Sequence, residues 1–330
     1  MSTGQITTRR AQADDRAAIL GLCRRALGWR PDDPDEAFFK WKHDDNAFGA
    51  SPSWIAESDD GRVVGLRVLL RWRFVTSGGG VLSAVRAVDT ATDPEFEGRG
   101  IFTRLTLDAL PDLRDDGVDL VFNTPNDKSR PGYLKMGWGV VGRVPVVARV
   151  TSANSFGRLA TARTAAELWS ESVDCGLAAD DVFADPSRGA EVTALLESLG
   201  RPSGLTTDRD LDFLRWRYGF EPLRYRVFPI GDSIGDGIVV FRVRRRGQAF
   251  EAAVCDVIAP PGTAAGPALR QIGRTSGADY LLATSRTVDS RAGFVPAPRL
   301  GPILTWRPVR RPGVPAMSSL HLTLGDLELF

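Results

Sequence analysis

Residues 90–102 read TATDPEFEGRGIF, and this stretch decides how the chain is interpreted. The run before the loop, 82–92, has the composition of a β-strand, and apolar residues recur at helical spacing over 101–113. The loop between these runs contains Gly98 and Gly100, which lack side chains and so let a ligand approach the backbone. Because a helix N-terminus exposes unpaired N–H groups and a positive dipole end, the junction predicts an anion site. The alternative is a plain glycine turn before an amphipathic helix.

Two common phosphate-binding motifs do not describe this loop. A Rossmann fingerprint needs three glycines and an acidic residue about twenty positions later, and a P-loop needs Gly-Lys-Ser/Thr. The loop has neither pattern. Arg99 lies between the two glycines and adds a cation that can contact a phosphate.

The elements on both sides of the loop predict an α/β fold with a mixed sheet. An Asp60-Gly61 turn joins two strand-like runs and predicts a hairpin. Strands are expected at 6–10, 53–57, 63–75, 82–92, 118–123 and 140–150, and helices at 14–27, 35–42, 101–113 and 129–135. Antiparallel strands followed by strand–helix–strand are typical of a mixed sheet with flanking helices.

Two segments together resemble the GNAT superfamily of acyltransferases. Residues 90–94 followed by 98–102 are similar to its acyl-CoA signature, and residues 123–138 (NTPNDKSRPGYLKMGW) are similar to its second motif. The resemblance covers about 5–150 well and about 185–310 only as a faint second copy. It implies an α/β fold of two GNAT-like domains, each a mixed, mostly antiparallel sheet flanked by helices.

The resemblance also implies where acetyl-CoA binds. By this resemblance, the main chain beside the pantetheine is that of Thr90, Ala91 and Thr92. The pyrophosphate loop consists of Gly98, Arg99, Gly100, Ile101 and Phe102. Asn126 and Ser129 are polar groups that steady the donor. The sequence departs from the family pattern at Glu97, where Gln or Arg is common, and at Phe102, where Gly or Ala is common. An acidic Glu97 beside a pyrophosphate is electrostatically unfavourable.

Tyr133 matches the family tyrosine that protonates the departing thiolate, and a phenol is a reasonable general acid for that step. The alternative is a tyrosine packed under a short helix. No residue stands out as the base that deprotonates the amine. Asp89, Glu57 and His43 are candidates. The layout also resembles the tandem-GNAT enhanced-intracellular-survival acetyltransferases, which adds the terminal carboxylate of Phe330 as a fourth.

The second half repeats parts of the first in the same order and at similar spacing. The paired segments are 35–42 with 210–217, 88–94 with 255–261, 117–120 with 277–280, and 137–138 with 293–294. Such repetition predicts a duplication. Residues 265–267 read Ala-Gly-Pro where the phosphate loop would recur, and proline removes a donor N–H. We therefore expect a catalytic domain at 1–150, a connecting segment at 151–185 and a degenerate GNAT-like domain at 186–330.

Composition narrows the class of protein. The chain has 330 residues, 43% of them apolar, and a net charge of +1, which argues against nucleic-acid binding. Three cysteines and two histidines are too few to predict a disulfide framework or a metal site. The small number of cysteines is typical of a cytoplasmic protein. No apolar run is long enough to span a bilayer, and residues 1–20 lack the core of a signal peptide.

We therefore predict an N-acetyltransferase that moves an acetyl group from acetyl-CoA, without a metal, to a primary amine. The amine belongs to a small molecule or a peptide, and an oligomer is compatible with the sequence. Two alternatives remain open. One is an acyl-CoA-binding sensor without turnover. The other is a Fem-type aminoacyl transferase, which also pairs two GNAT folds but uses aminoacyl-tRNA.

Overall fold

The structure is a computed structural model that describes residues 5–30, 32–152, 155–159, 162, 164–200, 203–288 and 290–327. The strands are β1 (Thr7–Arg10), β2 (Ser53–Glu57), β3 (Val63–Val75), β4 (Val81–Thr92), β5 (Leu120–Asn123), β6 (Gly139–Arg143), β7 (Val146–Val150), β8 (Leu177–Ala178), β9 (Thr206–Thr207), β10 (Arg226–Pro229), β11 (Ile238–Arg246), β12 (Ala249–Ile258), β13 (Tyr280–Thr284), β14 (Val295–Pro296) and β15 (Ile303–Pro308). The α-helices are α1 (Arg16–Leu27), α2 (Asp35–Phe39), α3 (Ile101–Asp115), α4 (Arg130–Lys135), α5 (Ser155–Leu159), α6 (Ala179–Ala184), α7 (Pro186–Ser198), α8 (Leu211–Tyr218), α9 (Gly266–Thr275) and α10 (Leu324–Leu327).

The chain divides into two compact units that are not contiguous in sequence. Unit 1 consists of Met1–Phe74, Gly80–Gly142 and Ile303–Ala316, and unit 2 of Val75–Gly79, Arg143–Pro302 and Met317–Phe330. The expected division at residue 150 falls near the change from unit 1 to unit 2. The return of Ile303–Ala316 to unit 1 differs from the sequence-based division, which assigned these residues to the second domain.

The sheet of unit 1 runs in the order β1-β2-β3-β4-β5-β15-β6. β4 and β5 are parallel, and α3 connects them, whereas β1–β2, β2–β3 and β5–β15 are antiparallel. Side chains of β3 alternate between the two faces, as the period of a strand requires. Leu69 joins the apolar cluster that contains Ile101 and Leu105 of α3, and Leu66 joins the cluster that contains Leu20 and Cys23 of α1.

The sheet of unit 2 runs in the order β14-β7-β13-β12-β11-β10-β8. β12 and β13 are parallel with α9 between them in sequence, and their neighbours β11 and β7 are antiparallel to them. The apolar core of this unit lies between the sheet and α9, whose Leu269 and Ile272 are buried. The chain thus has the predicted α/β fold with two mixed sheets and flanking helices.

Each sheet is completed by a strand from the other half of the sequence. In unit 1, β5 is followed across the sheet by β15 and β6, and in unit 2, β13 is followed by β7 and β14. Trp306 of β15 lies 6.4 Å between ring centroids from Phe122 of β5, and Thr305 donates to Asn123 Oδ1 at 2.6 Å. This pairing explains why Ile303–Ala316 belongs to unit 1.

Candidate active site

Pairing between the parallel strands β4 and β5 stops before the predicted donor-binding strand. They pair over residues 84–86 and 120–122, and no further pair joins them within the described chain. β4 continues to Thr92, so the backbone of 90–92 is not paired to β5. Asp89 has φ 36°, an uncommon conformation for a residue with a side chain, at the start of this stretch. The predicted pantetheine strand Thr90, Ala91 and Thr92 therefore offers backbone groups to a ligand.

The predicted phosphate loop has the backbone that close ligand approach requires. Gly98 and Gly100 both have φ 74°, and a Cβ built on either would meet nothing within 4 Å. α3 begins directly afterwards, and no side chain caps its N-terminus, where Gly100 is the N-cap residue. The first N–H groups of α3 are thus open toward an anion. This geometry fits a pyrophosphate at Gly98, Arg99, Gly100, Ile101 and Phe102.

The two departures from the family pattern have structural explanations. The side chain of Glu97 is exposed, where water screens its charge. Arg99 is also exposed and stacks 4.6 Å above the ring of Phe96. Phe102 turns toward α4, where its ring meets that of Tyr133 edge-on at 5.2 Å between centroids. Phe102 therefore occupies space beside Tyr133.

Tyr133 is buried on α4, with only 4% of its surface exposed. Its ring packs edge-on against Trp138 at 5.2 Å, and its hydroxyl oxygen accepts a hydrogen bond from Arg67 Nη1 at 2.8 Å. Asn126 Oδ1 accepts from the backbone N–H of Ser129 at 2.9 Å and from its hydroxyl at 3.0 Å. These bonds form the turn that begins α4, so Asn126 and Ser129 place the helix of Tyr133. Their contact with the donor stays a prediction.

Arg67 lies in the candidate site, although no motif in the sequence pointed to it. It lies on β3, is fully buried, and donates from Nη1 to both Tyr133 and the hydroxyl of Thr90. Its guanidinium carbon lies 5.6 Å from the ring centroid of Phe102 and 5.3 Å from that of Tyr133. Arg67 thus joins three residues that the resemblance had assigned to separate parts of the site. The available signal was one charge inside the apolar run VVGLRVLL of 63–70.

Asp89 and His43 form a buried polar cluster with Lys42. His43 Nε2 lies 2.7 Å from Asp89 Oδ2, and Lys42 Nζ lies 2.8 Å from the same oxygen. Burial by itself raises the pKa of Asp89, but the charge of Lys42 and the hydrogen bond with His43 more than offset this, and the pKa is lowered. Burial also lowers the pKa of His43. Both basic residues lie on a π-helical turn, Lys40–Asp44, which continues α2 where the sequence predicted an α-helix to residue 42.

Unit 2 contains a matching contact at the positions that the sequence repeat pairs. Tyr218, which follows the repeated segment 210–217, donates from its hydroxyl to Asp256, the repeat partner of Asp89. His43 follows segment 35–42 in the same way. The contact between helix end and strand therefore recurs with different chemistry, because tyrosine replaces histidine.

The other two candidate bases are placed differently. Glu57 forms an ion pair with Arg9 at 2.8 Å between Oε2 and Nε, on the paired strands β1 and β2. This pair engages the Glu57 carboxylate. The terminal carboxylate of Phe330 lies outside the described residues.

The described residues contain no group of three or more His, Cys, Asp or Glu side chains that could hold a metal ion. Cys23, Cys175 and Cys255 are free thiols and are buried. In the part of the chain that the structure describes, no helix is both long enough and apolar enough to cross a membrane.

Comparison with known proteins bears on the domain family and the fold. Residues 7–141 match the family model described as the acetyltransferase (GNAT) domain. A probable N-acyltransferase of Enterococcus faecalis V583 superposes with a TM-score of 0.60 at 12% identity, over 93% of this chain and 73% of that one. A GCN5-related N-acetyltransferase of Kribbella flavida gives 0.61 at 16% identity, over 93% and 72%. Eis1 of Mycobacterium abscessus gives 0.55 at 17% identity, over 92% and 74%.

No curated protein matches the chain significantly. The family match assigns residues 7–141 to the acetyltransferase (GNAT) domain family, and the solved structures share the fold of the chain.

Proposed function

We propose that the protein is an N-acetyltransferase that moves an acetyl group from acetyl-CoA to a primary amine. The observation that carries this proposal is the position of the Tyr133 hydroxyl. It is bonded to Arg67, which also bonds Thr90 on the part of β4 that is not paired with β5. The two left-handed glycines of the phosphate loop support the same donor. The acceptor is a small molecule or a peptide with a free amine.

The chain's own residues supply binding, orientation and one proton. Backbone groups of residues 90–92 and of the N-terminus of α3 hold the donor, whose thioester supplies the acetyl group. The amine nitrogen bonds to the acetyl carbon, the carbon–sulfur bond breaks, and the sulfur takes the Tyr133 proton. The amine proton passes to solvent, and Tyr133 regains a proton from solvent. The products are an amide and free CoA, with no covalent enzyme intermediate.

We assign the Asp89–His43 contact a structural function rather than that of the base. The corresponding contact in unit 2 uses Tyr218. Burial raises the pKa of Tyr218 well above its ordinary value, so the phenol keeps its proton and does not act as a base. A contact that joins a helix end to a strand in both units serves the fold. The low pKa of Asp89 and its pairing with Lys42 also make it a weak proton acceptor.

We further propose that unit 2 derives from a duplicated GNAT domain and binds no acyl-CoA. The repeated segments, the shared strand–helix–strand order around α9 and the Tyr218–Asp256 contact support the duplication. Helix α9 has proline in its first turn, so one N–H that a phosphate needs is missing. The connecting segment also belongs to this unit, since Glu171 bonds backbone to backbone with Val243 of β11 at 2.9 Å.

A thiol-release assay with acetyl-CoA across amino sugars, polyamines, aminoglycosides and peptides tests the proposed activity. Wild-type protein should release thiol with one amine class, and Tyr133→Phe should turn over about 10²-fold more slowly with acetyl-CoA affinity unchanged. Equal rates for the two proteins would make Tyr133 a packing residue. Binding without turnover across the panel would favour the sensor, and aminoacyl-tRNA dependence would favour the Fem-type transferase.

A further inference from the structure

We propose that Arg67 is a positioning residue that holds Tyr133 ready to donate its proton and stabilises the negative charge left on its oxygen. This proposal rests on the proposed transferase activity. It starts from the state of the Arg67 side chain. The guanidinium is fully buried, and its Nε and Nη2 atoms have no hydrogen-bond partner within the described chain.

A buried cation without a carboxylate is costly, because desolvation is not offset by an ion pair. Two other buried arginines of this protein are paired with carboxylates. Arg209 Nη2 lies 3.0 Å from Asp256 Oδ1, and Arg244 Nη2 lies 2.9 Å from Glu251 Oε1. No acidic side chain of the described residues lies within ion-pair distance of Arg67. The charge at this position therefore suits an anion that forms there during turnover.

The direction of the hydrogen bond identifies that anion. Arg67 donates from Nη1, so the Tyr133 oxygen is the acceptor and its own proton is free to point elsewhere. When that proton leaves for the sulfur, the phenolate keeps a charge-assisted hydrogen bond at 2.8 Å from a desolvated cation. Preorganised charge in a dry site stabilises developing negative charge more than water does, because it need not reorient.

The aromatic neighbours fix the geometry of the guanidinium. Phe102 and Tyr133 both lie within 6 Å of its central carbon, and their π faces or edges restrict its motion. Phe102 is the residue that departs from the small residue of the family pattern. The contact between Phe102 and Arg67 accounts for the large side chain at this position, because a smaller one would leave the guanidinium less constrained.

A double-mutant cycle of Arg67→Met and Tyr133→Phe tests the proposal, with kcat and KM measured by thiol release. Arg67→Met should lower kcat about 10²-fold, the scale for loss of one preorganised donor, with the KM for acetyl-CoA unchanged. In the Tyr133→Phe background the same change should lower kcat less than about twofold, because the residues act as a unit. Arg67→Lys should restore part of the loss, since it keeps the cation.

Thermal unfolding of the same variants separates this function from a structural one. Arg67→Met should not lower Tm, since it removes a buried charge that lacks an ion pair. Equal kcat losses in both backgrounds, or a lower Tm with no change in kcat, would overturn the proposal. A higher KM for the acceptor at unchanged kcat would also overturn it, by assigning Arg67 to a substrate carboxylate. Absence of thiol release by wild-type protein would instead refute the proposed activity.

Discussion

Gly100→Asp is the change that most sharply tests the phosphate loop. Gly100 has φ 74° and caps the N-terminus of α3, and a side chain added there would extend into open space. The substitution therefore places a carboxylate at the predicted pyrophosphate position without a clash in the folded protein. Gly61, in the turn between β2 and β3, is a matched control, because it has φ 78° and equally open surroundings.

The expected magnitude follows from two contributions. A left-handed conformation costs a residue with a side chain about 1–2 kcal/mol, and aspartate tolerates it better than most, so both variants should lose similar stability. Two like charges about 4 Å apart repel by about 1 kcal/mol in water and about 4 kcal/mol near a protein surface. Since about 1.4 kcal/mol corresponds to a factor of ten, only Gly100→Asp should weaken acetyl-CoA binding, by tenfold or more.

Isothermal titration calorimetry of both variants with acetyl-CoA, alongside thermal unfolding, measures the two contributions separately. Gly61→Asp should bind as wild type does, with a Tm shift close to that of Gly100→Asp. Unchanged affinity in Gly100→Asp would remove the loop from the site. Equal losses of affinity in both variants would mean that backbone strain, not charge at the loop, weakens binding.

Three further predictions concern the rest of the molecule. A fragment ending at residue 150 lacks β15, which pairs with β5, so it should be insoluble or inactive in solubility and thiol-release assays. Full activity of this fragment would contradict the conclusion that β15 is needed to complete the sheet of unit 1. A non-hydrolysable CoA thioether should titrate to one per chain, and a stoichiometry of two would give unit 2 a working site. The lowered pKa of His43 means that the unfolded chain takes up its proton first as pH falls, so stability should fall below about pH 6.5. His43→Gln should flatten that fall in pH-dependent denaturation with turnover retained, and lost turnover in a folded variant would restore His43 as the base.

The features that the sequence predicted well are those set by local chemistry. The loop with Gly98 and Gly100 needs left-handed backbone that glycine adopts without strain, and the structure has it at both positions. The Asp60-Gly61 turn joins β2 to β3 for the same reason. The apolar periodicity of 101–113 predicted α3, which continues through Pro111 to Asp115.

The features that the sequence did not predict depend on contacts distant along the chain. β15 pairs with β5, so that Thr305 lies opposite Asn123 although the two residues are far apart in the sequence. The residue pattern of neither strand predicts which strand it pairs with. Arg67 can be recognised as part of the candidate site only when the fold is known, because β3 places it beside Tyr133. No spacing in the sequence predicts this contact. The sequence also did not predict that α2 ends at Phe39 and continues as a π-helical turn.

Mass spectrometry of the acceptor, combined with thiol release, tests the central claim most directly. Wild-type protein incubated with acetyl-CoA and the amine panel should yield one acetylated amine for each thiol released, and Tyr133→Phe should slow both signals equally. Thiol release without an acetylated acceptor, or acetyl-CoA binding without either signal across the panel, would contradict the proposal that this protein is an N-acetyltransferase.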